Sequence, residues 1–160
     1  FELYQTIGNR YLIVFSLINQ TDALNGLGRF GEAKEKLARA EEIVRENSDS
    51  LRQLDGKIQL RHAQIALNEN DFGRAVQIAE KIPSSNDSAA LLEIQRIIAV
   101  SKTRLNPKAA ANLQLCDQVL QSAGKISEAR TENNVKLSIA EAYLLNGNPA
   151  KALAAALEVK

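Results

Sequence analysis

Gly28-Arg29-Phe30-Gly31-Glu32-Ala33 decides the reading of this chain, because the chain repeats it. Asn70-Asp71-Phe72-Gly73-Arg74-Ala75 and Gly147-Asn148-Pro149-Ala150-Lys151-Ala152 have the same form: a turn residue, an aromatic or proline two places on, and an alanine three beyond that. A fourth stretch, Leu105-Asn106-Pro107-Lys108-Ala109-Ala110, repeats the Asn-Pro pair of the third. Taking Ala33, Ala75, Ala110 and Ala152 as equivalent gives spacings of 42, 35 and 42 residues, and hence a super-repeat of 77. A shift of 77 places Ile58 on Val135, Leu60 on Leu137, Ala63 on Ala140 and Leu67 on Leu144. Self-similarity at such a period marks an array of stacked supersecondary units.

The units are helical. Phe30, Ala33, Leu37, Ala40 and Val44 recur at three and four, which places them on one helix face; Val14, Leu17, Thr21, Leu24 and Leu27 do the same before the glycine turn. The opposite face carries Glu32 with Lys36, Glu35 with Arg39 and Glu41 with Arg45, acid-first pairs at i, i+4 that support a solvated helix. Asn106-Pro107 and Asn148-Pro149 each read as an N-cap followed by proline at the first helical position, where its missing N–H costs nothing. Ser50 with Gln53 has capping-box spacing, and Ser84-Ser85-Asn86-Asp87-Ser88 reads as a polar turn. The expected helices are 1–7, 10–27, 30–46, 50–69, 71–82, 88–104, 107–122, 127–146 and 149–160. No β-branched run alternates with polar residues for long enough to be a strand.

Composition agrees. The 160 residues are 45% hydrophobic but only 4% aromatic, with no Trp, so the core is aliphatic and rich in Ala and Leu, as suits closely packed helices. Lys plus Arg number 20 against 19 Asp plus Glu, a net +1 that provides no field for nucleic acid or an anionic membrane. One cysteine excludes an internal disulfide and a multi-cysteine zinc site. No apolar run approaches the roughly 18 residues of a membrane span, and no signal peptide is present, so a cytoplasmic protein is expected. The first residue is Phe1 and there is no Met, so the chain reads as a segment of a larger multidomain protein.

On these residues the chain resembles the tetratricopeptide-repeat family, in which each unit is a helix, a tight turn and a second helix. Leu24, Gly28, Phe30 and Ala33 match the family signature; Ala66, Asn70, Phe72 and Ala75 match with Asn for Gly; Tyr143, Gly147, Pro149 and Ala152 match with Pro for the aromatic. Ser101, Leu105, Pro107 and Ala110 depart most. Spacings of 42 are longer than the family norm and are similar to the long-repeat variety of large bacterial signalling proteins. The resemblance implies an all-α, right-handed superhelix of antiparallel hairpins at about 10–46, 50–82, 88–122 and 127–160, with 1–8 the end of a preceding repeat. It also implies a single array without catalysis, whose first helices line a concave face and whose Ala33, Ala75, Ala110 and Ala152 allow close helix approach.

Isolated chemistry is scarce. His62 lacks an evident nucleophile or carboxylate partner and reads as a part-buried helix residue. Cys116, between apolar neighbours, reads as a small hydrophobe. Gly26 to Gly31 lacks the strand and the Lys-Ser/Thr end of a phosphate-binding loop. The sequons at Asn19 and Asn86 read as chance matches. No metal or cofactor is expected.

The constellation with functional promise is the concave face: Phe15, Ile18, Asp22 and Asn25; Lys57, Leu60, Gln64 and Asn68; Arg96, Val100, Thr103 and Arg104; Asn134, Leu137 and Glu141. Asn and Gln pair with peptide main chain in both senses, and Arg takes a carboxylate bidentately. The expected function is a scaffold for a protein or peptide partner; the rival is an intramolecular scaffold for an effector domain such as a kinase, protease or transcription regulator. The carboxylate clamp that the resemblance associates with chaperone-binding relatives is not reproduced at matching positions. An RNA-binding repeat would have a regular 35-residue period and basic faces. The apolar outer positions Leu153, Ala156 and Leu157 imply either a further repeat or self-association through the last helix.

Overall fold

A computed structural model describes the backbone of residues 2–83, 87–125 and 129–157, and the side chains of those from 9 onward apart from 48, 49, 129 and 130. All regular structure among them is helical: α1 (Glu2–Gly26), α2 (Phe30–Glu46), α3 (Ser48–Leu51), a 3-10 turn (Arg52–Leu54), α4 (Asp55–Asn68), α5 (Phe72–Ala79), α6 (Ser88–Leu105), α7 (Ala110–Ala123), α8 (Ala129–Leu145) and α9 (Pro149–Leu157). The helices pack mostly on sequence neighbours as antiparallel pairs, in two compact units, Phe1–Asn70 and Asp71–Lys160. No helix of the described residues is long and apolar enough to cross a membrane.

In the first unit α1 pairs with α2, and α4 lies against both. Val14 and Ile18 of α1, Ala33, Leu37, Ala40 and Val44 of α2, and Ile58 and Ile65 of α4 form the core, with Leu51 and Leu54 closing one end. In the second unit α5 packs on α6, α8 lies against both α6 and α7, and α9 pairs with α8. Its buried aliphatic residues include Ile97, Ala99, Val119, Val135, Ile139, Ala152 and Ala155.

The turns explain the pairing. Among the described residues Gly28, Asn70 and Gly147 have positive φ, at 72°, 64° and 78°, and they stand at matching places in three of the expected repeats. After α1, Arg29 N–H donates to the Leu24 carbonyl at 2.9 Å and Gly28 N–H to that of Asn25 at 3.1 Å. After α8, Asn148 N–H donates to the Tyr143 carbonyl at 2.9 Å and Gly147 N–H to that of Leu144 at 3.0 Å. These are paired Schellman closures, which satisfy the last carbonyls and reverse the chain within three residues. Only glycine, or asparagine with its short polar side chain, enters this left-handed region at little cost.

Four expectations need correction. Gly8-Asn9 does not end a helix: α1 runs through it, because nothing there demands positive φ and one interior glycine costs only about 1 kcal/mol. The expected helix 50–69 is broken, and Ser50 makes no capping box; its Oγ donates to the Asn47 carbonyl at 3.1 Å. Three-residue 3-10 pitch aligns Leu51 with Leu54, and both are buried. Pro107 does not open α7, which begins at Ala110. Ala110 is exposed, so it is not a close-approach position; Ala33, Ala75 and Ala152 are all buried.

The helix starts at Asp71 and Asp87 have caps that the sequence reading passed over. Asp71 accepts from Arg74 N–H, and Asp87 from Ala89 and Ala90 N–H. Asn148 and Pro149 start α9 as expected, with Asn148 Oδ1 accepting from Lys151 N–H at 3.2 Å. The expected turn over 84–86 and helix residues 127, 128 and 158–160 lie outside the described residues.

Candidate functional site

The third turn shows how the repeat survives a departure. Asn106 has φ −143°, so α6 ends without a left-handed residue. The side chain of Asn112, buried at the start of α7, instead donates to the carbonyls of Lys102 at 3.0 Å and Asn106 at 2.8 Å. Both carbonyls also accept from the backbone, Lys102 from Asn106 N–H at 2.9 Å and Asn106 from Ala109 N–H at 3.3 Å, so the amide adds a second bond to each. Asn112, Cys116, Val119 and Ala123 are buried at the same spacing as Ala33, Leu37, Ala40 and Val44. That matching spacing is the signal that would have placed the third unit correctly.

The expected concave residues fall into three groups. Ile18, Leu60, Val100 and Thr103 are buried and can touch no partner. Thr103 Oγ1 donates to the Ala99 carbonyl at 2.8 Å and lies 3.8 Å from Cys116 Sγ. These positions sit one step around the helix from the open side, where α4 in the first unit and α7 in the second press against their neighbours.

A second group meets across the first helices of each unit. Phe15 of α1 stacks under Lys57 of α4, the ammonium 5.6 Å from the ring centre. Asp22 of α1 receives a bidentate pair from Arg61 of α4 at 2.8 and 2.7 Å, and Asn25 accepts from Asn68 at 3.0 Å. Arg61 was absent from the expected set. In the second unit Arg96 of α6 donates to Ser138 of α8 at 3.1 Å, and Arg104 of α6 lies 3.4 Å from Glu141 of α8 and 6.0 Å from the Phe72 ring centre. Arg96 is also held bidentately by Glu93, at 2.8 and 2.5 Å, and is therefore not open to an incoming carboxylate.

The third group, Asn134 and Leu137, is exposed on α8, as is Glu141. Gln64 on α4 is part-buried and engaged. What the arrangement offers chemically, in each unit by itself, is a set of amides and charges, much of it paired, with aromatic or aliphatic surface on the same helices. The chain matches no family model, no curated protein and no solved structure.

Away from these residues, a second set of contacts ties helix to helix. His62 Nε2 lies 3.0 Å from Glu41, and Lys34 pairs with Glu69 at 2.6 Å. Glu41 thus faces the packed neighbour α4 rather than Arg45 on its own helix. In the second unit Asp117 of α7 accepts from the Tyr143 hydroxyl at 2.6 Å and from Lys151 at 2.7 Å. Desolvation works to raise the Asp117 carboxyl, but the hydrogen bonds from Lys151 and Tyr143 outweigh it and hold the group below its usual range. Burial, then the bond to Asp117, pushes the Tyr143 hydroxyl well up. Burial likewise raises the neighbouring Cys116 thiol, leaving it un-ionised as a small core residue.

Proposed function

We propose that this chain is a tetratricopeptide-like superhelical array, a non-catalytic scaffold for protein–protein contact that needs no cofactor, metal, nucleic acid or membrane. The observation that carries the reading is the turn stereochemistry. Gly28, Asn70 and Gly147 share one left-handed conformation, each is followed two residues later by Phe30, Phe72 or Pro149, and each precedes a buried alanine five residues on. Units of that kind have apolar faces that only neighbours can cover, and arrays of them present long continuous surfaces.

The pairing of Asp22 with Arg61 and Asn25 with Asn68 favours a folded partner resting on these side chains over an extended peptide threaded between them. A peptide would have to displace those bonds to reach the same amides, whereas a folded surface can use Phe15 and Lys57 of the first unit, or Asn134 and Glu141 of the second, which remain exposed. The test is capture from the source lysate with the immobilised chain and with a variant carrying Phe15→Ala, Lys57→Glu and Asn134→Arg. Helicity by circular dichroism should match, and the specific partners should be lost with the variant. An unchanged partner set would overturn the assignment of this face.

A further inference from the structure

In the first unit α4 carries two cations on one side. Lys57, Arg61, Gln64 and Asn68 recur at four, three and four, so they share a helix face, and contacts from Lys57, Arg61 and Asn68 show that this face meets α1. A rise of about 1.5 Å per residue sets Lys57 and Arg61 about 6 Å apart along the helix axis. Among the described side chains of α1, residues 9–26, Arg10 and Asp22 are the charged ones. Arg10 is turned to Asn47 at the end of α2, which leaves Asp22 as the carboxylate that α1 brings to the two cations.

Asp22 meets only part of that charge. It takes one edge of the Arg61 guanidinium, from Nε at 2.8 Å and Nη2 at 2.7 Å. A guanidinium has five N–H donors in a rigid fork. Among the described residues the other edge, Nη1 with the second hydrogen of Nη2, has no acceptor. Asp22 thus holds the fork in one orientation, and the Arg61 side chain, 23% exposed, still reaches the surface. Lys57 has no carboxylate among the described residues either; its ammonium lies 5.6 Å from the Phe15 ring centre, and both side chains are exposed.

We infer that Lys57 and the open edge of Arg61 receive an acidic helix of a partner protein, with two carboxylates one turn apart and an apolar side chain beside them on Phe15. Two cations against one carboxylate make the face complementary to acid. Glu residues at i and i+4 stand about 6 Å apart, the spacing of Lys57 and Arg61. An extended segment would bring unpaired main-chain groups to a face where Asn25 and Asn68 already bond each other, whereas a helix satisfies its own backbone and brings side chains alone. This rests on the scaffold reading above and names the chemistry of its partner.

The two cations contribute differently. Arg61 offers a directional, bidentate pair to one carboxylate, while Lys57 acts as a point charge on the other. Because Lys57, Phe15 and Asp22 are open to water, binding should fall as salt rises.

Fluorescence anisotropy tests this with a labelled, alanine-based helical peptide of about 20 residues that carries two Glu at i and i+4 and a Leu one turn beyond. A control peptide has Gln in place of both Glu. The Glu peptide should bind at least about tenfold more tightly than the control. Arg61→Lys keeps the charge but loses the fork, and Lys57→Gln loses the point charge; each should weaken binding by about threefold or more, with helicity and urea midpoint at wild-type values. Equal binding of the two peptides, or binding of neither, overturns the inference, and so does full affinity in either variant. If lysate partners are nonetheless lost when Phe15 and Lys57 are changed, the scaffold reading stands while this assignment of its partner falls.

Discussion

The two units fix one helix pair on the next with different chemistry. In Phe1–Asn70 the ties are long, partly exposed side chains: Asp22 with Arg61, Lys34 with Glu69, Glu41 with His62. In Asp71–Lys160 several are short or buried: Asn112 on two carbonyls, Asn146 on the Pro107 carbonyl, Thr103 against Cys116, Tyr143 on Asp117. The difference follows from the turns. Where a left-handed residue closes a helix, backbone N–H groups satisfy its last carbonyls and the surface needs only adjustable pairs. Where that residue is missing, as at Asn106, a buried side chain ties the helix end to the next helix by adding a second bond to carbonyls that already accept from the backbone.

The largest effect should therefore come from Asn112. Asn112→Ala should cost about 1–3 kcal/mol in urea denaturation, the loss of two hydrogen bonds of about 0.5–1.5 kcal/mol each to carbonyls that keep their backbone donors. If Arg61→Ala in the first unit costs as much, the contrast between the units is wrong.

Next comes overpacking. Ala75→Leu should cost about 1–3 kcal/mol because the site is fully buried, while Gln77→Leu and Ala110→Leu, both on exposed positions, should stay within about 0.5 kcal/mol. A costly Ala110→Leu would restore the original four-fold alignment of alanines.

The turns can be compared directly. Gly28→Ala has open space for its Cβ yet φ is 72°, so it should lose about 1–2 kcal/mol from backbone strain alone. Gly26→Ala, at the last residue of α1 with equal space and no left-handed φ, should gain up to about 1 kcal/mol. Equal outcomes would mean that the turn conformation contributes nothing to pairing.

Acid and base titration separate the units by a smaller margin. The Asp117 carboxyl is held below its ordinary 3.8, so its contribution is present above that value and is lost as pH falls through the lowered one. Half its side chain is exposed, so solvent screening limits the effect to about 1 kcal/mol or less. Tyr143 is shifted the other way from 10.0; its contribution holds below that pH and fades as pH rises toward the raised value. Asp117→Asn should flatten the acid limb of a stability-versus-pH curve, and Tyr143→Phe the alkaline limb. Unchanged limbs would make the cluster ornamental.

The smallest change is expected at the surface of the first unit. Arg61→Ala, or 1 M NaCl in its place, should move stability by about 0.2–1 kcal/mol.

Helix type, three of the four turns and most buried faces were legible in the residues, because apolar spacing, positive-φ residues and N-terminal caps act over a few positions. Gly28, Asn70, Gly147 and Asn148-Pro149 declare themselves without reference to the rest of the chain. What only the tertiary structure decided is where those local preferences lose. Asn106-Pro107 looks like Asn148-Pro149, yet α7 starts three residues after Pro107, because a buried amide at 112 holds the end of α6. Ser50 looks like a cap, yet the need to bury Leu51 and Leu54 together bends the chain there. On the candidate face, helical spacing nominated Ile18 and Thr103 with Asp22 and Arg104, though neighbouring helices bury the first two and pair the others. A helix face one step from the core is polar or buried according to how closely the next helix crosses it, a distance set by side chains far away in sequence.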